Sequence, residues 1–107
     1  MSIHYKTSEI KNLNRFYRAN LINSIIGIKQ ASLIGTLSSK NTTNLAIFSS
    51  GIHLGSNPAL VGIFSRPEKN HPRQTMENIL LNKQFTLNHV NVDILKKSHA
   101  TSYKFGE

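Results

Sequence analysis

ASLIGTLSSKNTTNLAIFS, residues 31–49, is the stretch on which the fold turns. Its first part alternates Ala31, Leu33, Gly35 and Leu37 with Ser32, Ile34, Thr36 and Ser38. That two-residue period is the signature of a strand with one face toward a core. Its last part sets Thr43, Leu45 and Ile47 against Asn44, Ala46 and Phe48 in the same way. Ser39, Lys40, Asn41 and Thr42 between them carry turn chemistry. The stretch predicts a β-hairpin with strands over 31–38 and 43–49.

Upstream, residues 8–22 read as an amphipathic helix. Ser8 is placed to cap it, and Ile10, Leu13, Phe16 or Tyr17, and Leu21 recur at helical spacing. Lys11, Asn14, Arg15 and Arg18 are expected to face water. Downstream, residues 50–58 hold two Gly and an Asn57-Pro58 step, so an irregular loop is expected. Ala59 to Phe64 is a nearly continuous apolar run and reads as a buried strand, ended by Ser65, Arg66 and Pro67. Pro72 suits the first turn of a helix that carries Met76, Ile79 and Leu80 on one face and runs to about Lys83. Residues 85–90 read as a strand, and Asn91 as the cap of a short helix through Lys97. Residues 99–107 show no period. The order of elements favours an antiparallel sheet that curls or closes. A βαβ crossover between 59–64 and 85–90 is the alternative.

Composition narrows the function. The chain has 107 residues, with 13 Lys and Arg against 5 Asp and Glu, a formal charge of +8. That length predicts one domain over 1–107. With no Cys there is no disulfide scaffold, thiolate zinc site, iron–sulfur cluster or Cys nucleophile. A Cys-free chain fits a reducing compartment, and a cytoplasmic location is expected. The longest apolar run, Ala59 to Phe64, is far short of a membrane span, and Met1 to Lys6 lacks a leader's apolar core. The positive charge asks for an anionic partner. Its basic residues are scattered, with Lys96-Lys97 the longest run, which weakens a nucleic-acid or membrane reading.

The usual catalytic constellations are missing. The five acids are far apart in sequence, and His4, His53, His71, His89 and His99 show no metal-ligand spacing. There is no G-x-S-x-G elbow, P-loop or G-x-G-x-x-G. His89 shares its strand face with Phe85 and Leu87 and reads as a core histidine. Polar residues do concentrate at strand ends and loops: Thr36 and Ser38, Asn44, Ser49 and Ser50, Ser56 and Asn57, Ser65 and Arg66, then Arg73, Gln74, Thr75 and Asn78. Hydroxyls, two Arg and the amides of a helix start are what a phosphate needs. The plainer reading is that these groups cap turns and helices. Arg73 leans toward the phosphate, because a helix start disfavours an unpaired cation.

Taken in order, residues 31–38, 44–50, 56–63, 73–79 and 85–91 resemble the flavin reductase-like, FMN-binding split-barrel family, as does the segment 99–105. The resemblance covers roughly 15–105. It implies a mainly β, α+β fold, a Greek-key split β-barrel, with FMN held non-covalently in a homodimer. It implies an FMN-dependent oxidoreductase that passes electrons from a reduced nicotinamide, NADH or NADPH, through the flavin to an acceptor. The matching segments assign Asn44, Ala46, Ile47, Phe48, Ser49 and Ser50 to the ring and ribityl chain. Ser56 and Asn57 match the next loop. Arg66, Arg73, Thr75 and Gln74 match the phosphate end, with Thr36 and Lys29 as weaker candidates. Flavin chemistry needs no protein nucleophile. Family members continue past the segment matching Thr101 and Ser102 with strands that complete the barrel. The resemblance therefore implies an incomplete barrel here, with exposed sheet edges and apolar surface. A basic nucleic-acid-binding module and a truncated, non-catalytic interaction domain are the competing readings.

Overall fold

The computed structural model of the chain describes residues 2–66 and 73–102. Pro67, His71, Pro72 and the tail from Tyr103 lie outside the described residues.

The hairpin forms as its alternation predicts. β1 (Ser32–Leu37) pairs antiparallel with β2 (Thr43–Phe48), with Leu33 opposite Ile47 and Thr36 opposite Asn44. The turn between them closes on Ser38, whose hydroxyl accepts from the Lys40 and Thr42 amides. Asn41 takes the left-handed conformation at φ 59°, which Asn tolerates better than most residues. The later strand, β5 (Thr86–His89), joins the other side of β1, also antiparallel. The sheet order is β2-β1-β5, so β5 does not pair with the strand that precedes it and there is no βαβ crossover.

Register divides this sheet into two faces. Ser32, Ile34 and Thr36 share one face with Asn44, Ala46, Phe48, Leu87 and His89. Leu33, Gly35 and Leu37 share the other with Thr43, Leu45, Ile47, Thr86 and Asn88. Helix α3 (Gln74–Asn82) packs on β1 and β2. Ile34 is fully buried and Leu33 nearly so, which puts the core on the central strand. On the second face Gly35, Leu37, Thr43, Leu45 and Thr86, with Gln84 and Phe85, line an open cleft of about 530 Å³. Gly35 is required there, because a Cβ at that position would sit 2.5 Å from Thr86 Oγ1.

Two sequence expectations change. Residues 52–56 are a strand, β3 (Ile52–Ser56), and not an irregular loop. It pairs antiparallel with β4 (Ala59–Gly62), and an irregularity between His53 and Gly55 absorbs the glycine that argued against a strand. The turn at Asn57 and Pro58 joins the two, through a cis peptide bond. β4 ends at Gly62 and is not buried: Leu60 is 51% exposed and Val61 55%. Among the described residues its apolar run pairs with one strand, β3, so continuity of apolar residues did not signify burial.

The N-terminal helix is also two helices. α1 (Thr7–Asn12) is preceded by Lys6, not Ser8, at its cap. α2 (Arg15–Ile26) restarts because the Asn14 side chain accepts from the Phe16 amide at 2.9 Å and the Tyr17 amide at 3.4 Å. Arg18 does not simply face water. Its guanidinium donates to the Lys11 carbonyl at 3.0 Å, satisfying the end of α1. Gly27, at φ 83°, ends α2. At the other end Asn91 caps, its side chain accepting from the Ile94 amide at 3.2 Å. It caps a 3-10 turn, Val92–Ile94, that leads into α4 (Leu95–Ala100). α4 packs against β2.

Candidate functional site

The site is built where α3 meets the hairpin. Its first turns face the end of the sheet at which Thr36 and Asn44 are paired across β1 and β2. Asn44 Nδ2 donates to Thr75 Oγ1 at 3.1 Å, and Asn78 Nδ2 donates to Thr36 Oγ1 at 3.0 Å. Thr36, Thr75 and Asn78 are all buried. Four side chains from three elements thus form two amide–hydroxyl pairs. Buried polar groups are costly unless paired, so these bonds specify how the helix docks as well as holding it. Thr75 and Asn78 lie three apart and so face the same side of α3. The C-terminal end of α3 is tied down separately, by Asn82 donating to the Leu37 carbonyl.

Arg73 stands at the N-cap of α3 and provides no side-chain cap. The first amides of the helix therefore lack the acceptor that Ser, Asp or Asn would supply. Arg73 Nε is buried and has no hydrogen-bond partner among the described residues. A buried guanidinium nitrogen without an acceptor beside uncapped helix amides is a set of donors awaiting an acceptor. Gln74 and Glu77 on the same helix are exposed.

The remaining candidates are distributed around this centre. Ala46 and Phe48 are half-buried on the same sheet face as Asn44. The Ile47 amide is taken by Thr101 Oγ1 at 2.9 Å, and that hydroxyl donates to the Ser98 carbonyl at 2.7 Å. Thr101 is thus a site neighbour that no local pattern could have singled out, since 54 residues separate the pair. Ser49 is exposed. Ser50 joins the two sheets: its hydroxyl donates to the Phe64 carbonyl at 3.0 Å and accepts from the Phe64 amide at 3.1 Å. Ser56 and Asn57 are at the tip of the β3–β4 ribbon, where Ser56 Oγ lies 3.4 Å from His53 Nε2. Arg66 is exposed beyond β4, and Lys29 bonds Asn23 Oδ1 at 2.9 Å. His89 is exposed and 3.1 Å from Gln30 Nε2, so it is not a core histidine. Its strand lies at the sheet edge, with nothing beyond it among the described residues to bury it.

Comparison with solved structures defines the class. The chain superposes with a TM-score of 0.88 on a protein from Shewanella frigidimarina NCIMB 400 assigned as a flavin reductase with a split barrel domain. The two are 43% identical, over 99% of this chain and 52% of that one. The 2-nitrobenzoate 2-nitroreductase of Pseudomonas fluorescens shares the fold, with a TM-score of 0.77 at 24% identity, over 96% of this chain and 48% of that one. The antiparallel sheets and docked helices are those of the split-barrel flavin reductase fold. It spans about half the length of the two structures it matches. No protein-family model and no curated protein matches the chain.

Proposed function

We propose that the chain binds FMN and serves a flavin-dependent oxidoreductase, with a reduced nicotinamide as electron donor. The observation that carries the reading is the start of α3. There Arg73 Nε, buried and without a hydrogen-bond partner among the described residues, and the helix amides that no side chain of Arg73 caps offer donors to a phosphate. The likeness to a protein assigned as a flavin reductase supports a flavin. The anion-seeking donors favour FMN over a flavin without phosphate.

In this reading Arg73, Thr75 and the α3 amides hold the phosphate, with Gln74 and the exposed Arg66 at its margin. The face carrying Ala46 and Phe48, with Ile47, Ser49 and Ser50, supports the ring and ribityl chain. Ser56 and Asn57 approach from the ribbon tip, and Thr36 and Asn44 brace the helix. When bound, the flavin supplies hydride and single-electron transfer. The protein's own residues bind, orient and screen from water. A homodimer and a cytoplasmic location belong to the same proposal. Among the described residues no helix is long and apolar enough to cross a membrane.

The test is a titration of FMN and riboflavin followed by flavin fluorescence, on the wild-type chain and Arg73→Ala. FMN should bind more tightly than riboflavin. Arg73→Ala should weaken FMN about tenfold or more, the scale of a lost charged hydrogen bond, and leave riboflavin nearly unchanged. A wild-type chain that quenches neither flavin, and that stays colourless after desalting with FMN, would refute the proposal.

A further inference from the structure

Thr101 follows the last residue of α4, and its hydroxyl is bonded on both sides. It donates to the Ser98 carbonyl at 2.7 Å, three residues back, and accepts from the Ile47 amide at 2.9 Å. A threonine hydroxyl has one hydrogen, and here the end of its own helix takes it. The oxygen keeps only lone pairs, so toward β2 it acts as an acceptor and nothing else. A hydroxyl that donates is also the stronger acceptor, because bonds in a chain polarise one another. Ser102 closes the same helix end in the same way, donating to the His99 carbonyl at 2.7 Å, but it is exposed.

Ile47 lies on β2, and beyond β2, on the side away from β1, no strand follows among the described residues. Its amide is one of the outward donors that an edge strand presents. Thr101 takes that donor, and α4 packs against β2. Three polar groups of residues 44–50 are spent in this way within the chain. The Asn44 side-chain amide goes to Thr75, the Ile47 backbone amide to Thr101 and the Ser50 hydroxyl to Phe64. The segment is held by these groups and does not present them to a ligand.

We infer that Thr101 is a positioning residue for the flavin ring. It withdraws the Ile47 amide from the ligand and fixes the β2 edge against α4. Ile47 then meets the ring by its place in the strand and not through its N–H. The inference rests on the reading of the site as one for FMN. Thr101 acts through Ile47 and not on the phosphate, so FMN and riboflavin depend on it alike, whereas Arg73 separates them.

Thr101→Val tests it, since it keeps the shape and removes the hydroxyl. FMN and riboflavin are titrated against the full chain by flavin fluorescence, at a temperature where circular dichroism shows the variant folded. Both flavins should weaken about tenfold, by factors that agree within about twofold. Thr101→Ser, which keeps the hydroxyl, should bind both within about twofold of wild type. At saturating flavin the visible spectrum of the bound ring should change in Thr101→Val and match wild type in Thr101→Ser and Arg73→Ala. A residue that only stabilises the fold would leave that spectrum alone. Wild-type affinities in Thr101→Val overturn the inference, as does a loss confined to FMN or an unchanged spectrum. The pairing is read separately, by hydrogen exchange of the Ile47 amide in the flavin-free chain. It should be slow in wild type and fast in Thr101→Val. Fast exchange in wild type overturns the inference even if Thr101→Val fails to fold. A wild-type chain that binds neither flavin overturns the FMN reading and with it the role toward the ring, while slow Ile47 exchange still upholds the pairing.

Discussion

The chain places similar apolar residues in two settings with opposite outcomes. In β1, Leu33 and Ile34 are the buried core, paired on both sides by β2 and β5 and covered by α3. In β4, Leu60 and Val61 are about half exposed and, among the described residues, paired only with β3. The difference is in neighbours and not in residue type. A strand becomes core when two other strands and a helix share it. A two-stranded ribbon has two open faces whatever its composition, and is at best marginally stable alone. The helix on β1 is placed by the two amide–hydroxyl pairs, whereas among the described residues the ribbon's side-chain pair is the exposed approach of Ser56 to His53.

The contrast can be broken most sharply at its centre. Ile34→Ala should cost about 2–5 kcal/mol, because the residue is fully buried and its loss opens a cavity in the core. Val61→Ala on the ribbon should cost no more than about 0.5 kcal/mol. Urea unfolding of both variants measures the difference, and equal losses would mean that β4 is covered in solution. The glycines give a second comparison. Gly35→Ala brings a Cβ to 2.5 Å from Thr86 Oγ1 and should cost about 1–3 kcal/mol. Gly62→Ala meets the Leu54 side-chain end at 3.1 Å and Ile52 Cγ1 at 3.3 Å, looser contacts than at Gly35, so a smaller cost of about 1 kcal/mol is expected. A third, smaller effect sharpens the role of the polar pairs. Asn78→Ala leaves the buried Thr36 hydroxyl without its donor and should lower stability by about 1–2 kcal/mol. His53→Ala on the ribbon should be nearly silent in the same urea unfolding. The smallest effect has the opposite sign. Ser98 Oγ is buried with no partner among the described residues, so Ser98→Ala should leave stability unchanged or raise it slightly.

The hairpin was legible because its residues alternate and its turn is rich in Ser and Asn, both of which are local facts. α3 was legible from Met76, Ile79 and Leu80. The split in the N-terminal helix was missed because Asn14 is as compatible with an exposed helix position as with a cap, and the choice lies in its side-chain rotamer. β3 was missed because Gly51, Gly55 and Asn57-Pro58 argue for a loop, and only pairing with β4 overrides them. Of the candidate site, Arg73, Thr75 and Asn44 were found by polar density and family likeness. That Asn44 would serve Thr75, 31 residues away, was not visible in either. Thr101 was missed as a partner of Ile47 for the same reason.

The sequence by itself determined the periods of its strands and helices, the donor-rich start of α3, the absence of thiol chemistry and the family likeness that covers most of the chain. Those follow from covalent identity and from interactions within a few residues. The tertiary structure alone decided which apolar strand is core, which face of the sheet α3 covers and which hydroxyls are spent on amides. The physical reason is that burial and hydrogen-bond direction belong to pairs of groups. The members of those pairs, Thr36 with Asn78 and Asn44 with Thr75, meet only after the chain has folded.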